Sequence, residues 1–278
     1  MANKTPANYY SKIWLEEPEE DNPFLSKRQY CYGYDIAEEV LEKASWVEYL
    51  YLLFGGEKPS AEQALLLDKL AIVLANPGIR DASVRAAMNA GVGGSTSASS
   101  LMSAIAVGSG QFGGAREIHT LVTQWEKFGT NLKQWQAFLL NPNQHQDNID
   151  LWQKYEHPPG FDPYATKHSS FVMSALKKLV SVTPGNALIW LLANYQSLEE
   201  SCKAGMTLNS VVAAAFYDLN FNAQNSELLF LILRLPGAAA HAMEQQQMGW
   251  KKFPFYNDAF TLIDDPGKQG ELMDYKDL

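Results

Sequence analysis

The sequence is poor in cysteine and in positive charge, and each shortage removes a class of function. Two cysteines among 278 residues, Cys31 and Cys202, offer neither metal-ligand spacing nor a disulfide framework. Lysine and arginine number 22 against 31 aspartates and glutamates, a formal charge of −9. No basic stripe interrupts that background. A nucleic-acid partner, which needs clustered Lys and Arg against phosphate, is therefore not expected. Long apolar runs are missing too. The uncharged stretch from Gly93 to Gly110 is Ser, Ala and Gly rather than Leu and Ile, a poor membrane span. It reads better as a buried helix whose small side chains let another helix approach. With no secretory h-region at the N-terminus, the cytoplasm is the expected compartment.

Missing motifs exclude further chemistry. None of the five histidines stands four residues from another, so a helical zinc site is not expected, and no metal site is assigned. There is no G-x-S-x-G elbow for a serine hydrolase. Gly108-Ser109-Gly110-Gln111-Phe112-Gly113 matches a dinucleotide fingerprint on paper. That motif works only after a strand and within a βαβ unit, and the segment before it reads as helix. A glycine-rich turn between helices accounts for it better.

What is present is a globular balance, 46% hydrophobic and 19% charged, punctuated throughout by helix signals. The first thirty residues, with Tyr9, Tyr10, Ile13 and Trp14 before an acidic run from Glu16 to Asp21, read as an arm or short hairpin. From Tyr34 onward the text is helical. Ser60-Ala61-Glu62-Gln63 is a capping box opening a helix with Leu66, Leu70, Val73 and Leu74 on one face, and Asn76-Pro77-Gly78 stops it. Further helices are predicted near 82–90, 97–107, 115–128, 169–182, 185–203, 208–219 and 226–248. Thr130 is the expected cap of another, carrying Leu132, Trp135, Phe138 and Leu139. Pro236-Gly237 should bend or break the last helix. No alternating β-branched strand follows the arm, which predicts an all-α fold.

One loop has the stiffness and the side chains of a site. Glu156-His157-Pro158-Pro159-Gly160-Phe161-Asp162-Pro163 fixes φ at three prolines and carries His, Glu and Asp. His241 lies in an apolar helix and reads as a satisfied core residue.

Several short blocks, taken in order, resemble the citrate synthase and citryl-CoA lyase family. Gly33-Tyr34-Asp35-Ile36, Ala44-Ser45-Trp46-Val47-Glu48 and Leu52-Leu53-Phe54-Gly55-Gly56-Glu57-Lys58-Pro59 are similar to the family's opening block. Phe112-Gly113-Gly114-Ala115 resembles the His-Gly-Gly-Ala turn of citrate synthases, and more closely the Phe-Gly-Gly-Ala turn of ATP-citrate lyases. Pro159-Gly160-Phe161 resembles the family's keto-acid loop. Arg234, Gly237, His241 and Phe253-Pro254-Phe255-Tyr256 resemble its C-terminal block.

The resemblance implies a citrate-synthase-like, all-α architecture. Its large domain would comprise residues 1–118 and 228–278, with an arm over about 1–32, and its small domain residues 119–227. It implies a homodimer or higher even oligomer, and a carbon–carbon bond made or cleaved between an acetyl-CoA-type thioester and a keto acid such as oxaloacetate. No cofactor is implied, coenzyme A being part of the substrate. Phe112 and the chain length favour the lyase over the synthase.

The family's proton-exchanging Asp falls at Asn209, and its loop His at Pro163 or, with a gap, Asp162. Asn cannot take a proton at neutral pH, and losing a positioned base costs roughly 10²- to 10⁴-fold in rate. Asp162 is then the candidate base, with His157 or His168 replacing the loop His. Arg234 would hold a substrate carboxylate beside Phe112, Gly113 and Gly114. The alternative is a catalytically silent homologue that binds CoA esters or pairs with an active paralogue.

Overall fold

The computed structural model describes residues 10–145 and 153–252. Tyr9, the Phe253–Tyr256 block and the rest of the C-terminal segment lie outside the described residues. The arm is a small antiparallel sheet of β1 (Trp14–Pro18), β2 (Ser26–Cys31) and β3 (Tyr34–Asp35). The third strand replaces the helix expected from Tyr34. Tyr32 and Gly33, at φ +49° and +87°, turn the chain back so that Tyr34 pairs with Cys31. Asp35 then caps a π turn, Ile36–Val40, which runs into α1 (Leu41–Lys43).

The rest is helical because caps and apolar stripes agree. Ser45 and Ser60 form capping boxes with Glu48 and Gln63, starting α2 (Trp46–Gly55) and α3 (Ala61–Ala75). Asp81 caps α4 (Ala82–Val92) and Thr96 caps α5 (Ser97–Gly108). A glycine turn precedes α6 (Ala115–Phe128). The cap of α7 (Leu132–Leu140) is Asn131 and not Thr130: its extended backbone brings the side chain to the Gln134 amide. After β4 (Phe161–Asp162) come α8 (Ser170–Val180) and α9 (Ala187–Cys202). The chain continues through β5 (Gly205–Met206), α10 (Leu208–Asp218) and α11 (Ala223–Met248). The pairing of β4 with β5 is two residues long, too short to leave a periodic signal.

Pro236 does not break α11, which runs through it. Proline removes one backbone N–H, a cost of about 3 kcal/mol that packing can outweigh. Here Gly237, with no Cβ, lets the helix lie directly against Ala75 and Asn76. Neither is α5 wholly buried. Its small residues Ser100, Ala104 and Gly108, four apart, face α4 and α11, while Met102, Ile105 and Val107 are exposed.

Helix α10 is the axis of the main core, with Val211 to Phe216 fully buried among α6, α8, α9 and α3. Trp125 of α6 stacks on Tyr217 of α10 and also packs against Trp135, 4.8 Å away, and edge-on against Trp190. Asp218, at its end, accepts hydrogen bonds from the Ala187 and Leu188 amides and so caps α9. A second apolar cluster joins Val84, Ala87 and Met88 of α4 to Ala104, Ala238 and Ala242.

Candidate active site

A cavity of about 760 Å³ opens where α3, α4, α6, α10 and α11 meet the 156–164 loop. That size suits a small-molecule ligand. Phe112, Gly113, His157, Asp162, Asn209 and Arg234, chosen from widely separated stretches of sequence, all line it. Gly114 and His168 do not. Gly114 packs on the Gly108 and Gly110 carbonyls, where a Cβ would not fit. His168 sits edge-on to Tyr195, and its Nδ1 is 3.0 Å from the Glu199 carboxylate. Glu199 also accepts from the His168 and Met206 amides, so the pair pins the loop to β5.

The floor is organised by a residue that sequence reasoning missed, Glu117 in the first turn of α6. Gly114, as N-cap, has no side chain with which to cap. Glu117 turns back instead and accepts from the Gly113 amide at 2.9 Å. The same carboxylate accepts from the Gly160 amide at 2.5 Å and from Asn209 Nδ2 at 2.6 Å. Burial pushes its pKa above the ordinary glutamate value. The N–H groups of Gly160, Asn209 and Gly113, and nearby His157, pull against that shift without cancelling it.

Glu117 therefore ties together the glycine turn, the proline loop and the start of α10. Gly160, at φ +80°, lies so close to Ser210 that a Cβ would collide with the Ser210 hydroxyl. Its carbonyl accepts from Ser210 Oγ and from the Thr207 amide. His157 packs on the Phe112 ring, centroids 5.4 Å apart, and Phe112 meets Tyr155 edge-on. Asp162 spends one oxygen on the Tyr164 amide at 2.8 Å.

Also in the cavity lining, Arg234 is buried over the Phe230 ring and ion-paired with Asp81. Asp81 is held in turn by the Ser83 hydroxyl and by the Ser83 and Val84 amides. Arg234 Nε and Thr207 Oγ1 are buried and have no hydrogen-bond partner. Among the described residues no group of three or more His, Cys, Asp or Glu could hold a metal ion, and no helix is long and apolar enough to cross a membrane.

The helices and the cavity between them define a citrate synthase/citryl-CoA lyase-like fold. The citryl-CoA lyase of Hydrogenobacter thermophilus superposes with a TM-score of 0.66 at 16% identity, over 94% of this chain and 96% of that one. The ATP citrate lyase of Methanothrix soehngenii, solved with citrate and coenzyme A, gives 0.62 at 14% identity, over 88% of this chain and 40% of that one. Citrate synthase from Thermotoga maritima gives 0.50 at 13%, over 92% and 94%. No family profile and no curated protein matches the sequence.

Proposed function

We propose that this cavity makes or cleaves a carbon–carbon bond between the α-carbon of a CoA thioester and the carbonyl carbon of a keto acid. The observation that carries the reading is the meeting of His157, Asp162, Asn209, Glu117 and Arg234 in one cavity, within a fold shared over nearly its whole length with a citryl-CoA lyase. The structural relatives solved with citrate and CoA, or with carboxymethyl-CoA and oxaloacetate, support those two ligand classes.

In the cleavage direction, a base takes the proton of the tertiary hydroxyl. The C–O⁻ collapses to a carbonyl, and the carbon–carbon bond breaks with its electron pair delocalised into the thioester. The resulting enolate then takes a proton at its α-carbon. Asp162 and His157 carry these protons, and Asn209, oriented by Glu117, contacts the thioester end. Arg234 lies on the wall that would meet a carboxylate. Residues 73–81 and 230–234, outside 119–227, and residues 156–164 and 207–209, inside it, line one cavity, which supports closure of residues 119–227 over the ligand. The exposed Met102, Ile105 and Val107 on α5 support an even-numbered oligomer.

A second reading, a silent homologue that binds CoA esters, is favoured by an amide at Asn209 and by Asp81 already seated on Arg234. Calorimetry with CoA, acetyl-CoA and NAD tests the ground common to both readings. Micromolar binding of the two CoA compounds and none of NAD is expected. NAD binding without CoA binding would return the Gly108–Gly113 turn to a dinucleotide role.

A further inference from the structure

The cavity's charge is wrong for a dicarboxylate. Four carboxyl groups line it, Asp81, Glu117, Glu156 and Asp162, against one arginine and no lysine among the described residues. That arginine is not available as a free cation, because its guanidinium pairs with Asp81. Asp81 is no loose counter-ion. Its carboxylate also caps α4, so ion pair and helix start hold one another in place.

A bidentate carboxylate clamp needs two adjacent guanidinium N–H groups. Asp81 has taken one end, at NH2, and the Nε is buried without a partner. Thr207, another lining residue, likewise keeps its buried hydroxyl unpartnered. One ligand carboxylate can be met by the guanidinium N–H groups that Asp81 leaves over. A second would lie near Glu156 and Asp162 with no further arginine or lysine among the described lining residues to compensate it. An uncompensated like charge at cavity distances costs on the order of tenfold or more in affinity.

We propose that Asp81 is a specificity-determining residue, which by occupying Arg234 restricts the keto-acid subsite to 2-oxo or 2-hydroxy monocarboxylates in place of dicarboxylates such as oxaloacetate. This rests on the C–C bond reading above and narrows its second substrate. The reaction would then join or release a thioester and a monocarboxylic keto acid.

The test is calorimetry on the full chain, alone and with saturating CoA, using lactate and malate, two hydroxy acids that differ by one carboxylate. Wild type should bind lactate at least about tenfold more tightly than malate. Asp81→Asn removes the charge and keeps a good N-cap, as does Asp81→Ser, which guards against misfolding of either variant. In both, malate should gain about tenfold or more while lactate gains less. Wild type holding malate as tightly as lactate, binding neither acid, or showing no malate gain in folded variants would each overturn the proposal. CoA binding, measured separately, stands or falls with the broader reading and leaves the acid preference as its own result.

Discussion

Asn209 donates its side-chain NH2 to the buried carboxylate of Glu117 at 2.6 Å, which leaves its own carbonyl oxygen directed elsewhere. The two residues are 92 positions apart. Their contact means that Asn209 is a fixed amide and not a free rotor. It also means that position 209 cannot be considered without Glu117.

Removing the Glu117 carboxylate should therefore loosen three segments at once. Glu117→Ala leaves the Gly113 and Gly160 amides and the Asn209 amide without their acceptor. A loss on the order of 3 kcal/mol or more is expected in urea unfolding. Glu117→Gln should cost less, about 1–2 kcal/mol: its oxygen still accepts from Gly160 and Asn209 can flip to accept from the new NH2, while only the Gly113 amide loses its acceptor. Equal losses in the two variants would count against the clamp.

The pH dependence of stability has a definite sign. The folded chain holds Glu117's proton more tightly than the unfolded chain, because burial raises its pKa. Between the ordinary glutamate value and the raised one the native state binds more proton, so stability should fall as pH rises through that window. Comparing wild type with Glu117→Gln isolates this contribution. A difference that runs the other way would mean that the three donors outweigh burial.

Asn209→Asp would put two carboxyl groups within hydrogen-bonding distance, where they share one proton and titrate as a pair. The variant should approach wild-type stability in mild acid and lose about 1–3 kcal/mol above neutrality. A pH-independent cost would show that the pair does not form.

Sequence made the helices legible where the signals are local. The Ser60–Gln63 capping box and the Asn76-Pro77-Gly78 stop lie within a few residues of the ends they set. The unbroken α11 was not legible, since Gly237's approach to Ala75 and Asn76 is a tertiary contact that hydropathy does not record. Nor was Glu117. A glutamate in the first turn of a helix reads as a solvated complement to the helix dipole. Its burial arises only when Gly160 and Asn209 close over it. The Arg234–Asp81 pair spans 153 residues and left no trace either. Phe112 and Asn209 came from the family resemblance, His157 and Asp162 also from the stiffness of the proline loop that carries them, and the contacts that orient Asn209 came from the structure.

Gly160 is the position where a single methyl should matter most to the loop. At φ +80° and against the Ser210 hydroxyl, Gly160→Ala meets both backbone strain and a steric clash. A loss of about 2–4 kcal/mol is expected in thermal or urea unfolding. Stability within about 0.5 kcal/mol of wild type would mean that the loop is not docked on α10 as described.

The most direct test of the catalytic account is exchange of the acetyl-CoA methyl protons for deuterium in D2O, followed by mass spectrometry. If the cavity forms a thioester enolate, wild type should exchange them above the buffer rate. Asp162→Asn should then lose about 10²-fold or more, with CoA binding retained. An absence of exchange in wild type that demonstrably binds acetyl-CoA would contradict the catalytic reading and leave the chain a binding protein.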